Sequence, residues 1–106
     1  MRVYVFGTTE GNHYPFDIKG ELHELQAIVE GFIEPVHLPE FEQFGILLLA
    51  NEEGLLKGLE PNWNLFPYFF VGNMVALSTE GDEFTGLNEM QEEFIKEWLD
   101  NNRFDD

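Results

Sequence analysis

An uninterrupted apolar run, Gly45 to Ala50, is the feature that most constrains how this chain folds. Its Ile and Leu residues do not alternate with polar ones, which is typical of a strand buried at the centre of a sheet. The run is far too short to cross a membrane, because a transmembrane helix needs about 20 apolar residues. The sequence therefore predicts a sheet with a covered centre, and we expect no association with a membrane.

Other segments supply neighbours for this strand. Four more β-type stretches are separated by turn-forming residues: Val3 to Phe6, His13 to Lys19, Phe32 to Leu38 and Tyr68 to Leu77. Pro35 has no backbone donor, so the third stretch suits a sheet edge or a bulge better than a sheet centre. Gly72 and Asn73 predict a bulge or bend in the fourth. After the Asn51–Gly54 turn, Leu55 to Leu59 is expected to return as a short hairpin arm.

Two stretches have helical periodicity. In Glu21 to Gly31 and the residue that follows, apolar residues recur on one helical face: Leu22, Leu25, Ile28, Val29 and Phe32. A second helix begins after Asn88, with Gln91 in a capping-box relation, and its apolar residues are Met90, Phe94, Ile95, Trp98 and Leu99. The order of elements predicts an α+β fold in one domain, residues 1–106. We expect a mostly antiparallel sheet of about four to six strands with two helices packed on one face.

The charge balance points to a partner outside the fold. Five basic residues stand against 21 acidic ones, which gives a formal net charge of −16 and an isoelectric point near 4.2. Solubility requires less charge than this, and self-repulsion opposes folding. The charge disfavours direct binding to nucleic acid or anionic lipid and predicts a basic partner, with adaptation to high salt as an alternative. The chain has no cysteine and no apolar leader, so we expect a cytoplasmic protein.

Acidic residues are densest towards the C-terminus. Between Glu80 and Asp106 there are ten acidic residues and two basic ones. On a helix, side chains three or four positions apart lie about 5–6 Å from one another, which is comparable to the separation of phosphates along one nucleic-acid strand. The last helix is therefore predicted to bind a basic partner by nucleic-acid mimicry. The acidic side chains expected to make this contact are Glu89, Glu92, Glu93, Glu97 and Asp100.

Nothing in the sequence favours catalysis or a cofactor. Adjacent acids such as Glu52 and Glu53 are expected by chance in so acidic a chain, and neighbours in a turn point into water. The histidines, at positions 13, 23 and 37, lack the spacing of a metal site. No phosphate-binding glycine motif or serine-nucleophile motif is present. We therefore expect no enzymatic activity, no catalytic residue, no metal and no cofactor.

Aromatic residues are concentrated between Trp63 and Phe70. Successive residues of a strand face opposite sides, so Tyr68, Phe69 and Phe70 cannot all enter one core. Core packing under a second cover is one explanation, and a homodimer through exposed aromatic side chains is another. A third is a small-ligand pocket bounded by Trp63 and Tyr68.

Five segments that together touch most of the chain are Glu21 to Glu34, Asn51 to Gly54, Gly58 to Asn62, Phe70 to Asn73 and Glu83 to Leu87. In these segments the chain resembles a family of uncharacterised domains, known by a domain-of-unknown-function label and found mainly in phages and mobile elements of bacteria. The segments are helices, turns and caps rather than chemical motifs. The resemblance therefore implies a fold and a phage or plasmid setting, and no catalytic residue.

These observations lead to one hypothesis of function. We expect the chain to be a phage or mobile-element accessory protein that binds a basic, nucleic-acid-handling host protein, such as a defence enzyme. It would inhibit or modulate that protein in the host cytoplasm. Two alternatives stay open: a small-ligand or nucleotide-sequestering domain, and a structural phage protein.

Overall fold

The apolar run forms an inner strand of a six-stranded sheet in the computed structural model, which describes residues 1–102. The strands are β1 (Arg2–Phe6), β2 (His13–Asp17), β3 (Ile33–Val36), β4 (Ile46–Asn51), β5 (Met74–Glu80) and β6 (Glu83–Thr85). Their order is β2-β1-β5-β4-β3, every pairing is antiparallel, and β6 pairs with the end of β5. The helices are α1 (Leu22–Val29), α2 (Pro39–Glu42) and α3 (Glu89–Asn101), with a 3₁₀ turn at Trp63–Leu65. The predicted α+β class and antiparallel sheet are confirmed.

The two long helices lie on opposite faces of the sheet, so the expectation that both pack on one face is wrong. Alternate residues of β1 face opposite sides: Val3 and Val5 pack with α1, whereas Tyr4 and Phe6 pack with α2 and α3. Because the inner strands β4 and β5 are apolar on both faces, each face needs its own cover. The continuous apolar pattern of residues 46–50 predicts a strand that is covered on both faces.

The segment predicted as one long strand, Tyr68 to Leu77, enters the sheet only at Met74. Before it, Val71 makes an isolated bridge to Pro61. Gly72 separates the two parts with a φ of +79°, a conformation that residues with a side chain rarely adopt, and a Cβ there would lie 2.8 Å from Leu59. The chain therefore bends at Gly72, which confirms the predicted interruption but shortens the strand.

Other local expectations also need correction. Leu55 to Leu59 forms turns and not a hairpin arm, whereas residues 83–85 form the unforeseen strand β6. Met90, expected on the apolar face of α3, is 78% exposed. The buried arc of α3 centres instead on Ile95, Trp98 and Leu99. None of the helices within residues 1–102 has both the length and the apolar character needed to cross a bilayer.

Candidate functional site

Two polar side chains cap the start of α3, and one of them also connects it to the sheet. Asn88 and Gln91 form the predicted capping box: the Gln91 backbone N–H donates to Asn88 Oδ1 at 2.8 Å, and the Asn88 N–H donates to Gln91 Oε1 at 3.0 Å. The side-chain amide of Gln91 also donates to the Phe44 carbonyl and to the Ser78 hydroxyl, at 2.8 and 3.0 Å. With the buried apolar arc, these bonds hold α3 in one position.

Four of the five acidic side chains expected to contact a partner are exposed on α3. Glu89, Glu93 and Glu97 follow one another at intervals of four residues, and we call these three the α3 acidic row. Successive members lie about 6 Å apart along the helix axis, from a rise of 1.5 Å per residue. None of the three has an ion-pair partner within the described residues. Asp100 is also exposed, in a last turn that carries no basic residue.

Glu92 differs from these residues because its carboxylate has partners inside the fold. Arg2 donates to it from Nε at 2.9 Å, and Lys96 Nζ lies 3.1 Å away. The hydrogen bond from Arg2 is the main reason that the pKa of Glu92 is lowered. Arg2 also pairs with Asp17 at 3.0 Å, so this network ties α3 to β1 and β2. Glu92 therefore contributes to the position of α3 and not to its free acidic surface.

Trp63 and Tyr68, the expected walls of a ligand pocket, have different surroundings. Trp63 is half-exposed and lines a cavity of about 230 Å³ together with Glu10, His13, Asn64 and Asp100 among others. Tyr68 does not line that cavity: its hydroxyl donates to Glu40 at 2.6 Å, and its ring stacks on Phe70. The hydrogen bond to Glu40 raises the pKa of Tyr68. The cavity beside Trp63 therefore lacks its second expected wall.

An apolar groove that sequence reasoning missed lies beside the edge strand β3. Its volume is about 400 Å³, and we define it by six of its lining residues: Val36, Ala50, Leu55, Leu56, Phe69 and Phe70. Leu55, Leu56 and Phe69 are 74, 89 and 71% exposed. The sequence pattern placed all three in paired strands, where such exposure is not expected. The sequence does contain one signal of this groove. Leu55 and Leu56 are adjacent directly after a turn, and such a pair does not fit the alternation of apolar and polar residues in a hairpin arm.

Three buried asparagines hold the loops at one end of the sheet. Asn51 donates to the Val29 carbonyl at 3.0 Å, and Asn62 donates to the carbonyls of Phe6 and Gly72 at 3.0 and 2.9 Å. Asn64 donates to three backbone carbonyls of the loop that follows β1, those of residues 7, 9 and 12. Asn51 and Asn62 belong to the segments that carry the family resemblance. Those two segments therefore have a structural explanation.

The histidines and the paired acids form no common centre. His13 is hydrogen-bonded to the Tyr4 hydroxyl at 2.8 Å, His23 lies 3.3 Å from Glu21, and His37 contacts Glu42. In the part of the chain that the structure describes, no three His, Asp or Glu side chains are placed to hold a metal ion. The adjacent acids at positions 52–53 and 82–83 are all exposed.

The family model described as Domain of unknown function (DUF3846) matches residues 1–100. No curated protein and no solved structure matches the chain.

Proposed function

Because this chain belongs to the DUF3846 family, whose function is unknown, we propose from its own surface that it binds a basic, nucleic-acid-handling protein and occupies that protein's nucleic-acid site. The contact surface is the α3 acidic row, Glu89, Glu93 and Glu97, with Asp100 at its end. We further propose that the chain is a phage or mobile-element product and that its partner is a host protein, for example a defence enzyme. That part rests on the family resemblance alone.

The observation that carries the proposal is the row of exposed carboxylates without ion-pair partners in residues 1–102. The fold does use other acids. Glu24 accepts backbone hydrogen bonds at the start of α1, and Glu92 bridges Arg2 and Lys96. The row makes no such hydrogen bond or ion pair within residues 1–102, although Glu89 in the first turn of α3 interacts favourably with the helix dipole. The row also adds to the repulsion within a chain of net charge −16. Its charge is available to an external partner.

The geometry of the row suits a partner protein whose groove binds nucleic-acid phosphates. Three carboxylates about 6 Å apart on one rigid helix span about 12 Å, and the bonds of Gln91 together with the buried arc keep that helix from shifting. A preorganised row binds without a large loss of backbone entropy. Long-range attraction between this surface and a basic groove predicts fast association that weakens as salt rises.

The small-ligand alternative has less support. The cavity beside Trp63 holds about 230 Å³, below the range of about 300–1,000 Å³ that is common for such sites. Two carboxylates, Glu10 and Asp100, line it, and they oppose the entry of a phosphate-bearing ligand. Tyr68, the other expected wall, is bonded to Glu40.

The test is capture of partners by the tagged chain from nuclease-treated bacterial lysate, at low and at moderate salt. The variant Glu89→Lys/Glu93→Lys/Glu97→Lys reverses the row. The matched control Glu60→Lys/Glu80→Lys/Glu83→Lys makes the same change in net charge at exposed positions outside α3. We expect a basic nucleic-acid-binding protein to be captured by the parent and by the control, to be displaced by added duplex DNA or RNA, and to bind the row variant at least about tenfold more weakly.

Two results would refute the proposal. If both variants lose the partner equally, the attraction is a general effect of charge and α3 is not the contact surface. If nucleic acid does not compete with the chain for the captured protein, the chain does not occupy a nucleic-acid site.

A further inference from the structure

The apolar groove combines unusual exposure with an ordered framework. The turn that carries Leu55 and Leu56 is closed by backbone hydrogen bonds, from Lys57 to Glu53 at 2.9 Å and from Leu59 to Gly54 at 3.0 Å. These two leucines are therefore held in water by a defined backbone, and they do not reach the core. Large apolar side chains that a fold holds in solvent around a concave surface mark an interaction site.

Neighbouring residues keep this framework in place. The Oδ1 atom of the buried Asn51 accepts from the backbone N–H of Glu53 at 2.8 Å, which fixes the start of the turn. Gly54 packs so closely that a Cβ there would lie 2.9 Å from a Val71 methyl group. The opposite wall of the groove belongs to β3, which within the described residues pairs only with β4 and so forms a sheet edge. The groove thus lies between a fixed turn and an edge strand.

The charge around the groove indicates the chemistry of the segment that would bind there. Glu34, Glu52 and Glu53 are exposed and line the groove together with the apolar side chains. One basic group lies close by, Lys57, with its Nζ 3.8 Å from Glu53. A second copy of this chain would bring the same acidic rim and a further net charge of −16 to the contact. A segment with basic residues on either side of apolar ones would pair with both features of the groove.

We propose that the groove defined by Val36, Ala50, Leu55, Leu56, Phe69 and Phe70 binds a short segment of a partner protein, with apolar side chains in the groove and Lys or Arg residues against its acidic rim. This inference rests on the proposed function for the basic character of the partner. It adds a second contact surface, because none of the residues that line the groove belongs to α3. Apolar anchors at the groove supply affinity, whereas the α3 acidic row supplies attraction at a distance.

The test is selection from a display library of random short peptides on the full chain, followed by binding measurements with the enriched peptides. The groove variant is Leu56→Ser/Phe69→Ser, which changes exposed side chains and leaves the core intact. Its control is Leu22→Ser, which removes a 55% exposed leucine from α1. We expect enriched peptides with at least two apolar residues flanked by Lys or Arg. Their affinity should be at least about tenfold lower for the groove variant, and unchanged for the control and for the α3 row variant.

Several outcomes would overturn the inference. Absence of enriched peptides, or peptides that bind the groove variant as tightly as the parent, would show that the groove is not the site. Enrichment of apolar peptides without basic flanks would refute the role of the acidic rim. A concentration-dependent dimer that the groove variant abolishes would assign the groove to a second copy. If groove peptides fail while the α3 row variant still loses its captured partner, the proposed function stands and only the groove is refuted.

Discussion

Replacement of Asn62 by alanine tests how much the buried amides stabilise the loop end of the sheet. Asn62 is 3% exposed, and its side-chain amide donates to the carbonyls of Phe6 and Gly72 at 3.0 and 2.9 Å. Its Oδ1 also accepts from the Asn64 backbone at 3.2 Å. Alanine removes the donor from two buried carbonyls, and a buried group without its partner costs about 1–3 kcal/mol. We expect the free energy of unfolding to fall by about 2–4 kcal/mol, a large part of the roughly 5–15 kcal/mol of a typical domain.

Urea denaturation followed by circular dichroism measures this change, and thermal unfolding provides a second measurement. A loss of 2–4 kcal/mol corresponds to a decrease in Tm of about 10–20 °C for a chain of this size. The control is Asn101→Ala at an exposed position of α3, where we expect a change within about 0.5 kcal/mol. If Asn62→Ala unfolds at the parent's midpoint with an unchanged urea dependence, the two carbonyls have found other donors and the assigned role of Asn62 is wrong.

Three further predictions concern the carboxylate network, the core and the net charge. The pKa of Glu92 is lowered, so its ion pair stabilises the fold at pH values above the usual carboxyl pKa. The difference in Tm between the parent and Glu92→Gln should therefore close as the pH falls below about 4. A similar pH-dependent difference for exposed Glu97→Gln would contradict this reasoning. Phe41 is completely buried, so Phe41→Ala should cost about 3–5 kcal/mol in urea denaturation, and half-exposed Phe44→Ala clearly less; equal losses would place the two rings in equivalent environments. Added NaCl should raise the Tm by screening self-repulsion, since the screening length falls to about 10 Å at 0.1 M, and a decrease would show that attractive pairs outweigh repulsion.

The sequence predicted what depends on local pattern. The apolar pattern of residues 46–50 predicts a buried strand, and Asn88 with Gln91 predicts a helix start, because hydrophobic period and capping chemistry are encoded within a few residues. The predicted acidic face of α3 is likewise a local property of helix periodicity. Four of its five members are exposed, and the exception, Glu92, is paired with Arg2, which is 90 positions away in the chain.

What the sequence did not predict depends on contacts between distant segments. Periodicity shows that a residue is buried but not which element covers it, so the placement of α1 and α3 on opposite faces was missed. The groove was missed for the same reason, because Leu55 and Phe69 come together only when two loops meet beside β3. The roles of the buried asparagines also depend on their acceptors, since Asn62 binds a carbonyl 56 residues away.

Because β1 lies between β2 and β5, one of its two sheet partners is synthesised much later than the other. β1 leaves the ribosome before the other strands, and its partner β5 follows only after about 70 further residues, so this pairing closes a long loop. Until then the chain exposes the apolar residues of β1 and β4, and α3 covers one face of the sheet later still. Negative charge accumulates along the growing chain over the same interval. Repulsion between unfinished copies then opposes their aggregation, so the acidic composition protects the chain before its fold is complete.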